Sequence, residues 1–319
     1  MAEQGTHDVK NGRDDALYDA VVIGGGPAGL AGALWLARYR CRVRLFDAQD
    51  PRNAYTWGVH GYLGLEDPPP AELRRIGREQ AVRAGAELEA AMVDKVEGEV
   101  DDFRITTSDG GVTRARRILI TTGLRDIIPE IPGIMDFYGS SIWHCPDCDG
   151  PGVTGKRVGV IGWGDGIAKF CMWMLTWTDQ LTVMTHSHPD EMTDEGKAHL
   201  DRFGIALRHE AITELQGRDG CLERAVFHDG TTQEFDAIFF HIACGPGSTL
   251  PADLGCELDE AGAMEGILQV DKNFQTSVPG VYAAGDITPG SRLAIRAAFE
   301  GTRAAIGIKK SLIPEECRW

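Results

Sequence analysis

The sequence predicts an α/β protein with two dinucleotide-binding, Rossmann-like domains. A chain of 319 residues has room for about two domains of ordinary size. A strand, a glycine-rich turn and a helix follow one another near residue 18, and a second pattern of this kind begins near residue 157. Hydrophobic residues make up 43% and charged residues 25%, which is typical of globular chains. Disordered and collagen-like structures are therefore excluded.

The charge and the apolar runs limit the partners. The chain has 48 acidic and 32 basic residues, a net charge of −16 that would repel a phosphate backbone, so we expect no nucleic acid partner. Its apolar runs are shorter than the roughly 20 residues of a membrane span. The first 15 residues are polar and lack the apolar segment of a signal peptide. We expect a cytoplasmic protein with a loose N-terminal tail.

The first nucleotide-binding pattern starts with the strand YDAVVI at residues 18–23. Gly24, Gly26 and Gly29 follow in the spacing G-x-G-x-x-G, and the helical pattern LAGALWLARY comes next. These glycines let the backbone approach a pyrophosphate, which the N-terminus of the helix then binds. A second strand, CRVRLFD, ends at Asp47, whose carboxylate can accept hydrogen bonds from ribose hydroxyls.

A Cys-x-x-Cys pair, Cys145 and Cys148, lies between the two patterns. Two thiols at this spacing can close a small disulfide and relay electrons, and Asp149 beside them can exchange a proton. A zinc site is an alternative, but no second Cys-x-x-Cys follows and His144 does not complete four ligands, so we predict no metal. An unreactive buried pair is the other alternative. Most of the six remaining cysteines are expected to be buried and apolar in character.

Three further segments resemble the flavoprotein reductases with two dinucleotide domains. They are Thr276–Asp286, which reads as a strand ending in Gly-Asp before a helix from about Arg292, and the turns at 120–123 and 131–133. The resemblance implies FAD at the first site, although Leu293 replaces the usual Gln of the Arg-Gln-Ala motif. The FAD contacts that it implies are Gly24, Gly26, Pro27, Ala28, Gly29, Asp47, Ala48, Asn53, His60, Val93, Thr122, Gly123, Gly285, Asp286, Arg292, Leu293 and Ala294.

The motif C-x-x-C-D-G strongly resembles that of low-molecular-weight thioredoxin reductase. The resemblance implies that Cys148 faces the flavin, Cys145 exchanges with the substrate and Asp149 is the general acid. It also implies this family's architecture, with an FAD domain at residues 1–126 and 248–319 and a smaller domain at 127–247 that carries the redox pair. The resembling family is mainly homodimeric.

The second nucleotide turn departs from that family. Trp163 and Asp165 flank Gly164, and the sequence His186-Ser187-His188-Pro189-Asp190-Glu191 stands where an Arg-rich motif would bind the 2′-phosphate of NADPH. We therefore predict that NADPH is not the electron donor. Trp143, Trp173 and Trp177 lie in the same stretch, with the last two expected on one helix face. They either form a packed core or, with Trp163, clamp a planar ring.

This pattern resembles a branch of thioredoxin-reductase-like proteins, the diflavin-linked disulfide oxidoreductases. The resemblance implies two FAD molecules per chain, the second contacting Gly162, Trp163, Gly164, Asp165, Gly166, His186 and Ser187. Three alternatives remain: a dithiol oxidase that passes electrons to oxygen, a ferredoxin-dependent flavin thioredoxin reductase, and a non-enzymatic flavin redox sensor. The segments at 51–53 and 60–63 resemble dithiol oxidases. The substrate would be a disulfide or dithiol, in a thioredoxin-like protein or a small molecule.

Overall fold

The computed structural model describes residues 16–188, 192–241, 244–259 and 266–317. The expected N-terminal tail and residues 189–191 lie outside the described residues. The strands are β1 (Leu17–Tyr18), β2 (Ala20–Ile23), β3 (Val43–Phe46), β4 (Glu87–Glu89), β5 (Val93–Glu99), β6 (Asp102–Thr107), β7 (Val112–Ala115), β8 (Ile118–Ile120), β9 (Leu124–Asp126), β10 (Ile142–Trp143), β11 (Val158–Gly162), β12 (Leu181–Met184), β13 (Ala206–Arg208), β14 (Ile212–Arg218), β15 (Cys221–Phe227), β16 (Thr232–Glu234), β17 (Ala237–His241), β18 (Cys244–Pro246) and β19 (Val281–Ala283). The helices are α1 (Pro27–Arg38), α2 (Pro70–Ala84), α3 (Ile134–Phe137), α4 (Pro146–Asp149), α5 (Asp165–Met174), α6 (Asp194–Arg202), α7 (Leu250–Asp253) and α8 (Ala294–Ser311).

The first parallel sheet has the strand order β19-β8-β2-β3-β4. Its central strands are fully buried apolar runs, as expected for a parallel sheet covered on both faces. Helices α1 and α8 pack together against one face, where Leu36, Ala304 and Ile308 are buried. Gly301 makes this packing possible, because a Cβ there would lie 1.9 Å from the carbonyl oxygen of Ala28.

A smaller sheet, β1-β7-β6-β5, covers the other face of the first parallel sheet. Strands β5, β6 and β7 form an antiparallel meander, and β1 pairs in parallel with β7. Phe103 and Ile105 from β6 are fully buried against Ile118 and Ile120 of β8. The first nucleotide-binding turn is thus held between two apolar layers.

The second parallel sheet has the order β10-β17-β11-β12-β13 and carries α5 and α6. An antiparallel sheet, β14-β15-β16, packs on it through a cluster that includes Leu215, Phe227 and Phe240. Two parallel sheets with helices and antiparallel additions confirm the predicted α/β fold class.

A two-stranded antiparallel ribbon of β9 and β18 connects the two parallel sheets, with Asp126 paired to Cys244 and Leu124 paired to Pro246. It follows β8 of the first parallel sheet and β17 of the second. The expected domain boundaries, after residues 126 and 247, fall at this ribbon and remain a prediction. No described helix is long and apolar enough to cross a membrane.

The last long helix begins at Ala294, close to the expected start at about Arg292, and Leu293 before it is extended. One expected helical detail is wrong. Helix α5 ends at Met174, which leaves Trp177 in the following turn and off the helix face that carries Trp173. Threonines at 176 and 178 favour such a turn, since their hydroxyls compete for backbone hydrogen bonds.

Candidate active site

The first nucleotide turn joins β2 to α1. Gly26 caps α1 without a side-chain hydrogen bond, and Pro27 occupies the first turn. Gly24 has φ +114°, and a Cβ there would lie 2.4 Å from the carbonyl oxygen of Thr121. A Cβ on Gly26 would meet nothing within 4 Å. Open space beside an uncapped helix N-terminus fits a pyrophosphate group.

Asp47, the expected ribose ligand, lies directly after β3 and against Gly25. Its Oδ2 accepts hydrogen bonds from Arg74 (2.9 Å) and Arg78 of α2. Burial opposes ionisation, but the Gln49 amide and the two arginines hold the pKa of Asp47 below its usual value. The site predicted from the sequence does not include these arginines, although their i, i+4 spacing on one helix face is a local signal.

The far side of this site is formed by residues after β8 and β19. Thr122 carries a buried hydroxyl with no hydrogen-bond partner among the described residues, and Gly285 and Asp286 follow β19. An orphaned hydroxyl, a carboxylate at the end of β3 and an open helix N-terminus together fit a dinucleotide such as FAD. The other implied contacts lie on the following elements. Ala48 and Asn53 follow β3, Val93 is the first residue of β5, and Gly123 has φ +63°. Arg292 and Leu293 precede α8, and the residues in the first turns of their helices are Ala28, Gly29 and Ala294.

A buried glutamate on α8, Glu300, fixes the loop that carries Asp286. Its Oε2 accepts hydrogen bonds from the Gly285 amide (2.9 Å) and the Thr288 hydroxyl (2.7 Å). Its Oε1 accepts from Arg296 (2.6 Å), which also bonds to the Ser291 carbonyl. Glu300 was not identified from the sequence, because none of these contacts has a local signature except the i, i+4 pair with Arg296.

Replacing Glu300 with alanine is expected to lower the free energy of unfolding by about 2 kcal/mol, because the Gly285 amide and Arg296 lose a buried acceptor. The same change should weaken FAD retention through the loosened loop. Glu300→Gln keeps one acceptor oxygen and should fall between the two. Urea unfolding and the flavin retained on a desalting column measure both effects. Equal stability of Glu300→Ala and the unaltered protein would contradict this role.

Arg52 lies between two carboxylates at the junction with the redox pair. Its guanidinium contacts Asp126 Oδ1 at 2.5 Å and Asp286 Oδ2 at 3.1 Å, and all three side chains are at most a quarter exposed. The Tyr138 hydroxyl donates to Asp126 Oδ2 (3.0 Å). Burial opposes ionisation of Asp126, but Arg52 holds its pKa below the usual value. His144 Nδ1 lies 3.7 Å from the same carboxylate.

Cys145 and Cys148 form a disulfide with their Cα atoms 5.4 Å apart. Cys145 caps the short helix α4 and Cys148 lies within it. The Trp173 indole donates to Asp147 Oδ1 at 2.9 Å, so this tryptophan packs on the redox turn. No group of described residues could hold a metal ion.

Asp149 is buried beside the disulfide, with its side chain 9% exposed. Burial raises its pKa to about 7, while His60 at 3.8 Å (Nε2 to Oδ1) acts in the opposite direction. A carboxyl with this pKa can both hold and release a proton near neutral pH. Burial lowers the pKa of His144 to about 4, so that imidazole is neutral.

Several side chains of the second nucleotide turn contact neighbouring loop residues, while a Cβ on Gly164 would meet nothing within 4 Å. The Trp163 ring stacks on His188, with centroids 3.6 Å apart and planes inclined by 12°. Asp165 Oδ1 accepts hydrogen bonds from the Thr193 amide and hydroxyl, both at 2.8 Å. His186 Nδ1 accepts from the Ile212 amide (2.9 Å), and burial lowers its pKa. The expected site residues are Gly162 at the end of β11, Gly164 before α5, Asp165 and Gly166 at its start, and His186 and Ser187 after β12.

Of the two alternatives for the tryptophans, the structure shows core packing for Trp143 and Trp177. Trp163 lies at the nucleotide turn, but Trp143 packs in the core against Phe239, with ring centroids 5.7 Å apart. Trp177 lies against Gly150, where a Cβ would be 2.6 Å from the indole. Trp173 and Trp177 thus surround the redox motif, because α5 passes beside α4 after leaving the nucleotide turn.

Two dinucleotide-type turns and a Cys-x-x-Cys disulfide are the features of a nucleotide-dependent disulfide oxidoreductase. The family model for pyridine nucleotide-disulphide oxidoreductases matches residues 18–301. The chain belongs to this family and is a thioredoxin-reductase-like oxidoreductase, which confirms the predicted family and enzyme class; FAD is the typical cofactor.

Three relatives illustrate the match. The thioredoxin reductase of Peptoclostridium litorale is 30% identical, with 92% of this chain and 96% of the relative covered. The crystal structure of HlmI is 31% identical, covers 95% of this chain and 94% of its own, and superposes with a TM-score of 0.88. The atypical thioredoxin reductase TRi from Desulfovibrio vulgaris Hildenborough is 32% identical over 95% of this chain and 100% of its own, with a TM-score of 0.51.

Proposed function

We propose that this protein is an FAD-dependent thiol–disulfide oxidoreductase that works without NADPH. Cys145 exchanges with the substrate, Cys148 faces the flavin and Asp149 is the general acid. The observation that carries the proposal is the Cys145–Cys148 disulfide beside a buried carboxyl, in contact with a loop of the flavin site. Bound FAD would supply a two-electron partner for the cysteine pair.

The cysteine chemistry follows from thiol–disulfide exchange. A substrate thiolate attacks Cys145, the Cys145–Cys148 bond breaks, and Cys148 leaves as a thiolate. The second substrate thiol loses its proton to solvent, and the thiolate so formed displaces Cys145, which takes a proton from Asp149. The substrate leaves as a disulfide, and the protein holds Cys145 as a thiol and Cys148 as a thiolate. The same steps in reverse reduce a substrate disulfide, so the residues serve either direction.

Independence from NADPH is supported by the chemistry of the second turn. The Asp165 carboxylate lies at the start of α5, where a pyrophosphate would bind, and is engaged by Thr193. His186 uses Nδ1 as an acceptor and its pKa is lowered, so it supplies no positive charge for a 2′-phosphate at neutral pH. Two consecutive residues, His186 and Ser187, also have left-handed backbones that shape a loop of their own.

A second FAD in this turn is the finer part of the proposal. The Trp163 indole offers an aromatic face for an isoalloxazine or adenine ring. Because His188 covers one face, a second flavin would use the opposite face or displace the imidazole. If that turn binds no flavin, the electrons would instead pass to oxygen, come from a ferredoxin, or stay in a redox sensor without turnover.

The test is a count of released flavin per chain, followed by anaerobic addition of NADPH to the purified protein. Two flavins and no bleaching would support both parts of the proposal. One flavin without bleaching would remove the second FAD and keep NADPH independence. Prompt bleaching by NADPH would show a pyridine-nucleotide-dependent reductase. Multiple turnovers with a dithiol or disulfide separate an enzyme from a sensor.

Asp149 sets the expected pH dependence. Donation requires the protonated carboxyl, so the contribution of Asp149 to the exchange rate is lost as the pH rises through about 7. Asp149→Asn should be slower below pH 7 by about 100-fold or more. The ratio of the two rates isolates the carboxyl, because thiolate formation increases with pH in both proteins. A ratio that does not change with pH would contradict the assignment.

The raised pKa of Asp149 should also make the free energy of unfolding depend on pH. The pKa of Asp149 is higher in the folded protein than its usual value of 3.8, so the folded state binds more protons between these values. Stability therefore declines as the pH rises from about 4 to about 7, and Asp149→Asn should lack this part of the decline. Urea unfolding at pH 5 and pH 8 measures the difference.

The partner and assembly belong to the proposal as well. The relative from Peptoclostridium litorale is named a thioredoxin reductase, which supports a thioredoxin-like protein as the disulfide or dithiol partner. A small-molecule dithiol remains the other substrate class. We further propose the two domains divided at residues 126 and 247, a homodimer, and a cytoplasmic location.

A further inference from the structure

We propose that His60 and Asp67 form a positioning pair that carries protons between solvent and the Asp149 carboxyl. The inference rests on the proposed role of Asp149 and adds two residues that act through it. The side-chain contacts that the described residues show for His60 and Asp67 are with each other, Trp57 and Asp149. Both lie on the loop between β3 and α2, whereas Asp149 belongs to the redox motif.

The geometry forms a short chain of groups from the buried acid outward. His60 Nε2 lies 3.8 Å from Asp149 Oδ1, and His60 Nδ1 lies 2.9 Å from Asp67 Oδ1. An ionised carboxylate only accepts hydrogen bonds, so Asp67 holds the His60 proton on Nδ1 and directs Nε2 to Asp149. The Asp67 side chain is 43% exposed while that of Asp149 is 9% exposed. Protons therefore have a stepwise route out of the buried site.

The loop fixes these two side chains through its own contacts. The Val59 amide donates to the Pro68 carbonyl at 2.9 Å, which closes the segment that carries both residues. The Trp57 ring meets the His60 ring edge-on, with centroids 4.6 Å apart. Rings and backbone thus hold the imidazole in one orientation, as a residue that positions a proton requires.

The other titratable groups close to Asp149 in the redox motif have different partners. Asp147, in the same short helix, is bonded to the Trp173 indole. His144, before the cysteines, lies against Asp126. Among the described residues, His60 is the titratable group placed to exchange a proton with the Asp149 carboxyl. With its Nδ1 proton bonded to Asp67, His60 takes a second proton from solvent and passes it from Nε2 to the Asp149 carboxylate after Asp149 has protonated a departing thiolate, so the protons balance.

The test uses the FAD-loaded protein with dithiothreitol as a simple dithiol, under anaerobic conditions. The variants are His60→Gln and Asp67→Asn, and the matched control is Glu66→Gln, which removes an exposed charge one residue away. We expect bleaching of the flavin at pH 7 to slow by about tenfold or more in His60→Gln, and less in Asp67→Asn. The control should match the unaltered protein.

A second readout does not depend on turnover. Infrared titration of the Asp149 carboxyl, identified by its loss in Asp149→Asn, should move to higher pH in both variants, because each weakens a positive charge beside the carboxylate. Flavin content and melting temperature should not change in the Glu66→Gln control, and the rate of every variant is expressed per bound flavin because His60 is also an implied FAD contact. An unchanged titration and rate in His60→Gln would overturn the relay, as would lost flavin with an unchanged titration.

The two proposals fail separately. If dithiothreitol bleaches the flavin equally well in Cys148→Ser, the proposed exchange mechanism fails, and the infrared titration still decides whether His60 and Asp67 act on Asp149. If bleaching requires Cys148 but proceeds at the same rate in His60→Gln and the unaltered protein at every pH, the enzyme assignment stands and the relay is rejected.

Discussion

Replacing Cys148 with serine is expected to abolish disulfide turnover while FAD stays bound. The change removes one sulfur of the Cys145–Cys148 bond, so Cys145 can form a mixed disulfide with the substrate that no second thiol of the protein resolves. Cys145→Ser should be equally inactive because it removes the exchanging thiol. Turnover of a small disulfide or dithiol should fall below detection in both variants.

The two cysteine variants should differ in what they trap. With a disulfide substrate, Cys148→Ser should accumulate a mixed disulfide at Cys145, visible as added mass on the intact protein, and Cys145→Ser should accumulate much less. Cys221→Ser, a change at an exposed free cysteine, is the matched control and should keep full turnover. Full turnover in Cys148→Ser would show that the mechanism is wrong. A normal flavin spectrum in all three proteins would exclude misfolding as the cause.

Arg52→Ala should cause the largest loss of stability among the changes considered. It leaves Asp126 and Asp286 without the guanidinium that lies between them, and breaking such a buried ion pair costs about 3–5 kcal/mol. Asp286 also belongs to the implied flavin site, so the variant should lose FAD more readily. Urea unfolding with and without added FAD separates the two effects.

Arg125→Ala is the matched control for this prediction. Arg125 precedes Asp126 in β9, but it pairs with Asp50 at the surface, and both side chains are about two-thirds exposed. Exposed pairs contribute little, so we expect a change within about 0.5 kcal/mol. If Arg52→Ala unfolds at the same urea concentration as Arg125→Ala, the Arg52 network does not stabilise the fold as described.

The sequence was sufficient where the signal is local. The glycine spacing at residues 24–29 and the strand before it predicted the turn between β2 and α1, because both depend on neighbouring residues. The Cys-x-x-Cys spacing likewise predicted the Cys145–Cys148 disulfide. The fold class followed from the alternation of strands and helices.

The remaining contacts lie beyond local patterns. Arg52 and Asp286 are 234 positions apart, and no periodicity pairs them. The approach of His60 to Asp149 likewise depends on how the loop after β3 meets the redox motif. Helix α5 ends at Met174, so Trp177 does not share the helix face of Trp173 as expected. Long-range packing decides such details, and one sequence does not encode them in a readable spacing.

The narrow ribbon of β9 and β18 bears on when Asp149 can receive a proton in the proposed relay. It joins the two parallel sheets through three residue pairs, so their relative placement depends on few backbone bonds. HlmI and TRi match this chain with similar identity and coverage, yet their TM-scores are 0.88 and 0.51, a difference that another placement of the same sheets would produce. His60 and Asp149 are attached to opposite sides of that ribbon. Under the proposed relay, His60 returns a proton to Asp149 only while their contact is kept, and Asp149 carries a single proton in any arrangement that separates the two residues.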